Sequence, residues 1–186
     1  MKSIVGVVPL LAVVVSFLGC ASAMKPVDFA GGAPPFDPIA FFTGMTTSSG
    51  VQENRGGTPV KRVTTRTSGH LERDVLHLEQ DLQFGTDKPQ HRSWQIRRID
   101  AQRYEATAND IIGTARGEAH GNVFHWRFTV ARSPGNPLKN VRVSQWMHLQ
   151  PDGRTMIIHS TIRKFGVAVG QVTEQFVRAS ATASQP

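Results

Sequence analysis

Phe124-His125-Trp126-Arg127-Phe128-Thr129-Val130 is the stretch that decides the fold. Phe124, Trp126, Phe128 and Val130 are large and apolar, while His125, Arg127 and Thr129 alternate with them. A period of two puts successive side chains on opposite faces of an extended chain, so this stretch reads as a strand with one dry and one wet face. The same alternation recurs on both sides of it. Leu76, Leu78, Leu82 and Phe84 oppose His77, Glu79 and Asp81; Trp94 and Ile96 oppose Ser93, Gln95 and Arg97; Met156, Ile158 and Ile162 form a further stripe. Helical periodicity is hard to find.

Short turn signals separate these runs: Asp87-Lys88-Pro89, Asp100-Ala101-Gln102, His120-Gly121-Asn122, Ser133-Pro134-Gly135-Asn136-Pro137 and Pro151-Asp152-Gly153. Links this short join antiparallel neighbours. A meander of eight to ten strands must hide its edges, and closure into a barrel removes them. The expected fold is therefore all-β, an antiparallel up-and-down lipocalin-like barrel of about eight to ten strands. An open or two-sheet arrangement is the second choice. Ala106, Ala108, Gly113, Ala115, Gly117 and Ala119 put very small side chains on one face of two successive strands. They either leave a cavity facing the Phe124/Trp126/Phe128 stripe or accept bulky neighbours from across the core.

The N-terminus carries a different message. One positive charge at Lys2 precedes an apolar run from Ile4 to Leu18, which ends at Cys20, the single cysteine of the chain. That run is shorter than the roughly 20 residues of a membrane helix and has the layout of an export signal. Phe17-Leu18-Gly19-Cys20 fits a lipid attachment site, with residues 1–19 removed and Cys20 acylated. Ala21-Ser22-Ala23 offers a competing site for ordinary signal cleavage, which would release a soluble periplasmic chain. With Ala21 as the second mature residue, the lipidated form is expected at the outer membrane, facing the periplasm. The Gly- and Pro-rich segment 20–35 reads as a flexible tether, 36–178 as one barrel domain, and 179–186 as a frayed tail.

Without Lys2, 20 basic residues stand against 14 acidic ones, a net charge of +6, and arginine supplies 15 of the 21 Lys and Arg residues of the whole chain. In an envelope setting such an excess favours anionic head groups; export argues against nucleic acid. The bland alternative is a solvated, solubilising surface. A lone cysteine excludes an intramolecular disulfide. The seven histidines form no i, i+2 or i, i+4 pairs, so neither a metal nor another cofactor is expected. Phosphate-loop, dinucleotide and nucleophile-elbow motifs are missing, which leaves Glu79, Asp110, His125 and Arg127 as a dispersed constellation for catalysis.

Phe41-Phe42-Thr43-Gly44, Arg92-x-Trp94-x-Ile96, Tyr104-x-Ala106-x-Ala108-x-Asp110-x-x-Gly113-x-Ala115-x-Gly117, Gly121-Asn122, Trp146-Met147 and Lys164-Phe165-Gly166-Val167-x-Val169-Gly170 occur in that order. Together they resemble a family of uncharacterised proteobacterial lipoproteins, each a single domain of unknown function with a lipocalin-like fold. The resemblance runs from about Phe36 to Arg178 and implies an exported lipoprotein and an antiparallel barrel; it implies no demonstrated activity and only tilts the choice of ligand toward lipid. Two departures stand out: Ser144-Gln145 replaces paired acids before the Trp-Met, and Ser48-Ser49-Gly50 replaces a Gly-Trp-Gly.

The expected function is binding or carrying a lipid or fatty-acid-like ligand at the outer membrane. Trp94, Tyr104, Trp126 and Trp146 are the candidate aromatic lining or mouth, Asp110 a candidate polar contact, and Arg116 and Arg127 candidate grips for an anionic head group. Arg127 lies opposite Trp126 in strand parity. A filled barrel acting as an envelope adaptor and a lipid-modifying enzyme are the alternatives.

Overall fold

The computed structural model describes residues 23–133 and 135–179. Cys20, the signal segment, Pro134 and the tail beyond Ala179 lie outside the described residues.

Ten strands follow one another: β1 (Gly44–Asn54), β2 (Pro59–Glu72), β3 (Val75–Phe84), β4 (Gln90–Arg98), β5 (Arg103–Ala108), β6 (Ala115–His120), β7 (Val123–Val130), β8 (Val141–Leu149), β9 (Thr155–Lys164) and β10 (Val167–Arg178). Each pairs antiparallel with its sequence neighbours, and β1 pairs with β10 to close the barrel. This is the up-and-down barrel that the alternation and the short turns predict. Inward positions hold the apolar stripes, among them Leu76, Leu78, Trp94, Ile96, Phe124, Met147, Met156 and Ile158. Outward positions of β3, β4 and β6 hold charged side chains such as Glu79, Asp81, Arg97, Arg116 and Glu118, whereas those of β1 and β10 include the exposed Met45, Val51, Val167, Val169 and Val177.

One end of the barrel is plugged by α1 (Pro38–Phe42). Asp37 caps it: its Oδ1 accepts from the backbone N–H of Ile39 at 2.9 Å and of Ala40 at 3.3 Å, with proline at the first helical position. Phe41 and Phe42 turn inward, with Phe42 edge-on to Phe176 and Phe36 edge-on to Phe124.

The segment expected as a flexible tether is different. Pro26–Phe29 forms a 3-10 turn, and the Phe29 ring packs edge-on against His148 at 5.6 Å and beside Trp146 at 6.1 Å. Phe36 N–H then donates to the Gly121 carbonyl at 2.7 Å. Residues 25–36 are thus a strap across the outer wall of β6 to β8. A strap has no regular period, so composition alone reads it as loose; a single aromatic with a platform to land on orders it. Gly121 is needed where the strap crosses: it has φ 53°, and a Cβ there would sit 1.9 Å from the Phe29 carbonyl oxygen.

The run of small residues is also decided. A Cβ at Gly117 would lie 2.4 Å from Phe124 Cζ and 2.8 Å from Trp126 Cβ. The glycine therefore receives the rings of the neighbouring strand instead of leaving space. Gly117→Ala is expected to lower stability by about 1–3 kcal/mol through overpacking, read from a chemical denaturation midpoint at unchanged slope. A neutral result would mean that Phe124 can slide freely.

Candidate functional site

A small void of about 50 Å³ lies inside the barrel and adjoins a mouth of about 100 Å³ that opens to solvent. Leu82, Arg92, Phe128, Gln145 and Glu174 line both. The deeper void is floored by Phe42 and Phe176, and the outer one runs toward Phe84, Arg132 and Val141 at the end away from α1. None of the six small residues lines either void.

Their wall joins an aromatic cluster to a line of polar groups. Trp94 and Trp126 have ring centroids 4.8 Å apart, and Phe128 stands edge-on to both. Each indole is held by an inward amide: Trp94 Nε1 donates to Gln80 Oε1 at 2.8 Å, and Trp126 Nε1 to Gln145 Oε1 at 2.6 Å. Gln145 Nε2 in turn donates to Ser160 Oγ at 2.9 Å. Arg92 grips Asp110 through Nε and Nη2, both at 2.7 Å, and its guanidinium sits 5.6 Å from the centre of the Trp94 ring. The bidentate pair neutralises and orients the arginine.

Glu174 is the least expected member. It is 7% exposed, and its Oε1 accepts from Ser48 Oγ at 2.6 Å and Thr65 Oγ1 at 3.0 Å. Among the described residues Oε2 has no hydrogen-bond partner. Burial raises the carboxyl above its ordinary value, against the lowering effect of Ser48 and then Thr65. A carboxyl held toward its neutral form can donate a proton to a ligand oxygen.

The structure brings Trp94, Trp126 and Asp110 to this interior or its edge. Tyr104 is buried against Phe124 and under the Arg98 guanidinium, away from the voids. Trp146, expected in the lining or mouth, is on the outer wall: it faces away from Gln145 and Met147 and stacks on His125 at 4.1 Å. Arg116 and Arg127 also point outward, Arg116 toward Glu105 at 3.3 Å, so neither can reach a head group held in the barrel. Strand parity is the reason in all three cases, since each alternates with an inward residue. Cys20 lies outside the described residues.

Sequence reasoning missed Glu174, Gln80 and Ser160. A signal existed for the first: Glu174 shares parity with Val172 and Phe176, an acid on an otherwise apolar face. Gln145 was visible only as half of the departure at Ser144-Gln145, and the structure separates that pair, with Ser144 outside and Gln145 inside.

The dispersed catalytic constellation does not converge. Asp110 belongs to Arg92, His125 and Arg127 face outward, and Glu79 belongs to a surface cluster. In that cluster His91 Nδ1 meets Asp81 and Nε2 meets Glu79, both at 2.8 Å, with Ser93 Oγ 3.3 Å from Nε2. The spacing imitates a Ser-His-Asp triad, but the chemistry is wrong. Both ring nitrogens are engaged by carboxylates, which raise the pKa of His91, Asp81 foremost, and Ser93 directs its own proton to Glu79 and not to the imidazole. The hydroxyl is thus not aimed at a base that could activate it. Among the described residues, no group of three or more His, Cys, Asp or Glu side chains is placed to hold a metal ion.

Comparisons with known proteins agree with the architecture. The family described as "Protein of unknown function (DUF3833)" matches residues 14–178. No curated protein matches the chain in sequence. Among solved structures, the S-type phycobiliprotein lyase of Guillardia theta is similar in fold, with a TM-score of 0.58 at 8% identity, over 77% of this chain and 92% of that one.

Proposed function

We propose, for a chain that belongs to the DUF3833 family, a small-ligand-binding barrel tethered to the periplasmic face of the outer membrane through an acylated Cys20. The ligand is mostly apolar with one neutral, hydrogen-bonding end. Its body lies against Trp94, Trp126 and Phe128, and its polar end meets Glu174. The observation that carries this reading is the unpartnered Oε2 of a buried carboxyl lining an interior void. A neutral carboxyl beside an arginine already paired to Asp110 suits a hydroxyl or carbonyl better than a carboxylate. The small volume narrows the expected fatty-acid-like ligand to a short one, because drug-sized ligands occupy roughly 300 Å³ or more. Among the described residues Glu79, Asp110, His125 and Arg127 do not converge, and no catalytic step is proposed.

Trp94 and Trp126 line the deeper void, so intrinsic emission reports its occupancy. Titration with alcohols and fatty acids of increasing chain length is expected to give a saturable emission change for the short neutral ligands and a weaker one for long acids. Ile158→Phe, which puts a ring into the deeper void, is expected to abolish it while far-UV circular dichroism stays unchanged. The same small voids favour a second reading, a filled barrel serving as an envelope adaptor. Absence of any saturable response in the native protein selects it. Intact mass of protein taken from membranes tests the anchor separately: an acylated chain beginning at Cys20 is expected, and an unmodified chain beginning at Met24 defeats it.

A further inference from the structure

The outer wall of β6 to β9 carries arginines in an arrangement that the sequence alone conceals. Arg116 of β6 stands directly opposite Arg127 of β7, and Arg142 of β8 directly opposite Arg163 of β9. Like charges facing each other across strands are destabilising. Two such pairs on one wall therefore persist against their own repulsion. Arg116 has partial relief, since it shares Glu105 with Arg97. Arg127, Arg142 and Arg163 take part in no ion pair among the described residues. These three line an open groove of about 690 Å³, with Thr129 and Ser144 offering hydroxyls between them. A second groove of about 440 Å³ shares His125 and Arg127 with it, but there Arg103 and Arg116 are paired with Asp100 and Glu105, and Glu118 also lines it. The larger groove, with three unpaired arginines and no acid in its lining, is the one short of anions.

We propose that this wall is a docking face for the anionic phospholipid head groups of the leaflet that holds the anchor. Three observations select a lipid surface. The basic strip spans four strands, longer than one small anion needs. Met24 and Ile112, each 48% exposed, rim the larger groove and supply apolar contacts of the kind an interface accepts. The chain also reaches the groove at Met24, four residues after Cys20, a span of at most about 14 Å of extended backbone. An acyl chain at Cys20 thus holds this wall, and not another, near the membrane, within the range where arginine and head-group charges act on each other. This wall lies on the leaflet without entering it, because its four strands carry outward arginines.

The geometry rests on the lipidation of Cys20 proposed above, but the test does not. The full chain carrying Cys20→Ser, which cannot be acylated, is mixed with vesicles of phosphatidylcholine alone or of phosphatidylcholine with phosphatidylglycerol, and sedimented. Binding to the mixed vesicles above that to the neutral ones, by a margin that shrinks with salt, is expected. Arg127→Gln, Arg142→Gln and Arg163→Gln combined are expected to lower the partition coefficient about 100-fold, roughly fivefold for each arginine. A control combining Arg55→Gln, Arg62→Gln and Arg66→Gln changes net charge equally on β2 and the turn before it, and should keep most of the binding. The apolar N-terminal segment is common to all three proteins and cancels in the comparison. Relief of the facing arginines should also leave the first variant at least as heat-stable as the parent, so lost binding is not lost folding. Equal binding by the two variants, binding to the mixed vesicles no stronger than to the neutral ones, or release by millimolar inorganic phosphate at matched ionic strength would each overturn the inference. An unacylated native chain that still shows arginine-dependent binding retains this inference and defeats the anchor.

Discussion

Trp94→Ala is expected to lower the stability of the barrel by about 3–5 kcal/mol, a large share of the 5–15 kcal/mol that holds an ordinary domain together. The ring is 2% exposed and meets Trp126, Phe128 and the Arg92 guanidinium at once. Truncation removes those contacts, leaves the part-buried Gln80 Oε1 without its donor, and opens a hole beside an existing void. Walls already short of neighbours on one side collapse poorly, so little of the loss is recovered. Trp94→Phe keeps a ring and should retain most of the stability. Guanidinium denaturation followed by circular dichroism measures both. A loss below 1 kcal/mol for the alanine variant would show the cluster to be loosely packed and would remove the wall on which the ligand reading depends.

Acidification from pH 7 to pH 4 is the second large effect, and it has two opposed parts. His125 is 6% exposed, stacked on Trp146, with Nε2 2.9 Å from Ser144 Oγ. Burial, and then the charge of Arg127, lowers its pKa from 6.5 to about 4. The unfolded chain therefore takes up a proton below pH 6.5 that the folded one refuses until about pH 4. Stability falls across that window, by up to about 3 kcal/mol. His148, lowered by burial and then by His159, acts in the same sense beneath Phe29. Glu174 acts in the opposite sense. Its folded form holds a proton that the unfolded chain releases above its ordinary value of 4.5, so its contribution is fully present at low pH and is lost as pH rises. Its carboxyl therefore offsets part of the histidine loss on acidification. His91, raised by its two carboxylates, also gains as pH falls, but it is exposed and screened.

Melting curves from pH 7 to pH 4 on three proteins separate these terms. His125→Phe, which keeps the stack on Trp146, should lose less stability than the parent. Glu174→Gln, which keeps the acceptor for Ser48 and Thr65, should lose more. Parallel curves for the parent and His125→Phe would contradict the assigned burial of the imidazole. Because the strap crosses His148 and Trp146, proteolysis near Phe29 should report the acid loosening before the barrel itself opens.

Much of the fold was legible because a barrel is built from local alternation and short turns. Phe124, Trp126 and Phe128 declare their face through their own neighbours, and hairpin links leave antiparallel pairing as the available choice. The same parity, pursued further, would have placed Trp146 outside and Glu174 inside. The strap was illegible for another reason: Phe29 is one aromatic in a Gly- and Pro-rich segment, and its partners Trp146 and His148 are more than a hundred residues away in sequence.

Taken by itself, the sequence determined which residues alternate, where the chain turns, and the export-signal pattern that ends at Cys20. Tertiary structure alone decided what those residues meet. Gly117 became a seat for Phe124 and Trp126, Glu174 a buried carboxyl with one free oxygen, and Arg116/Arg127 and Arg142/Arg163 facing pairs. The physical reason is register. Alternation fixes the face of a side chain from its immediate neighbours, whereas the residue opposite it depends on how two strands slide past each other, and that is set by the turn and by packing across the whole barrel.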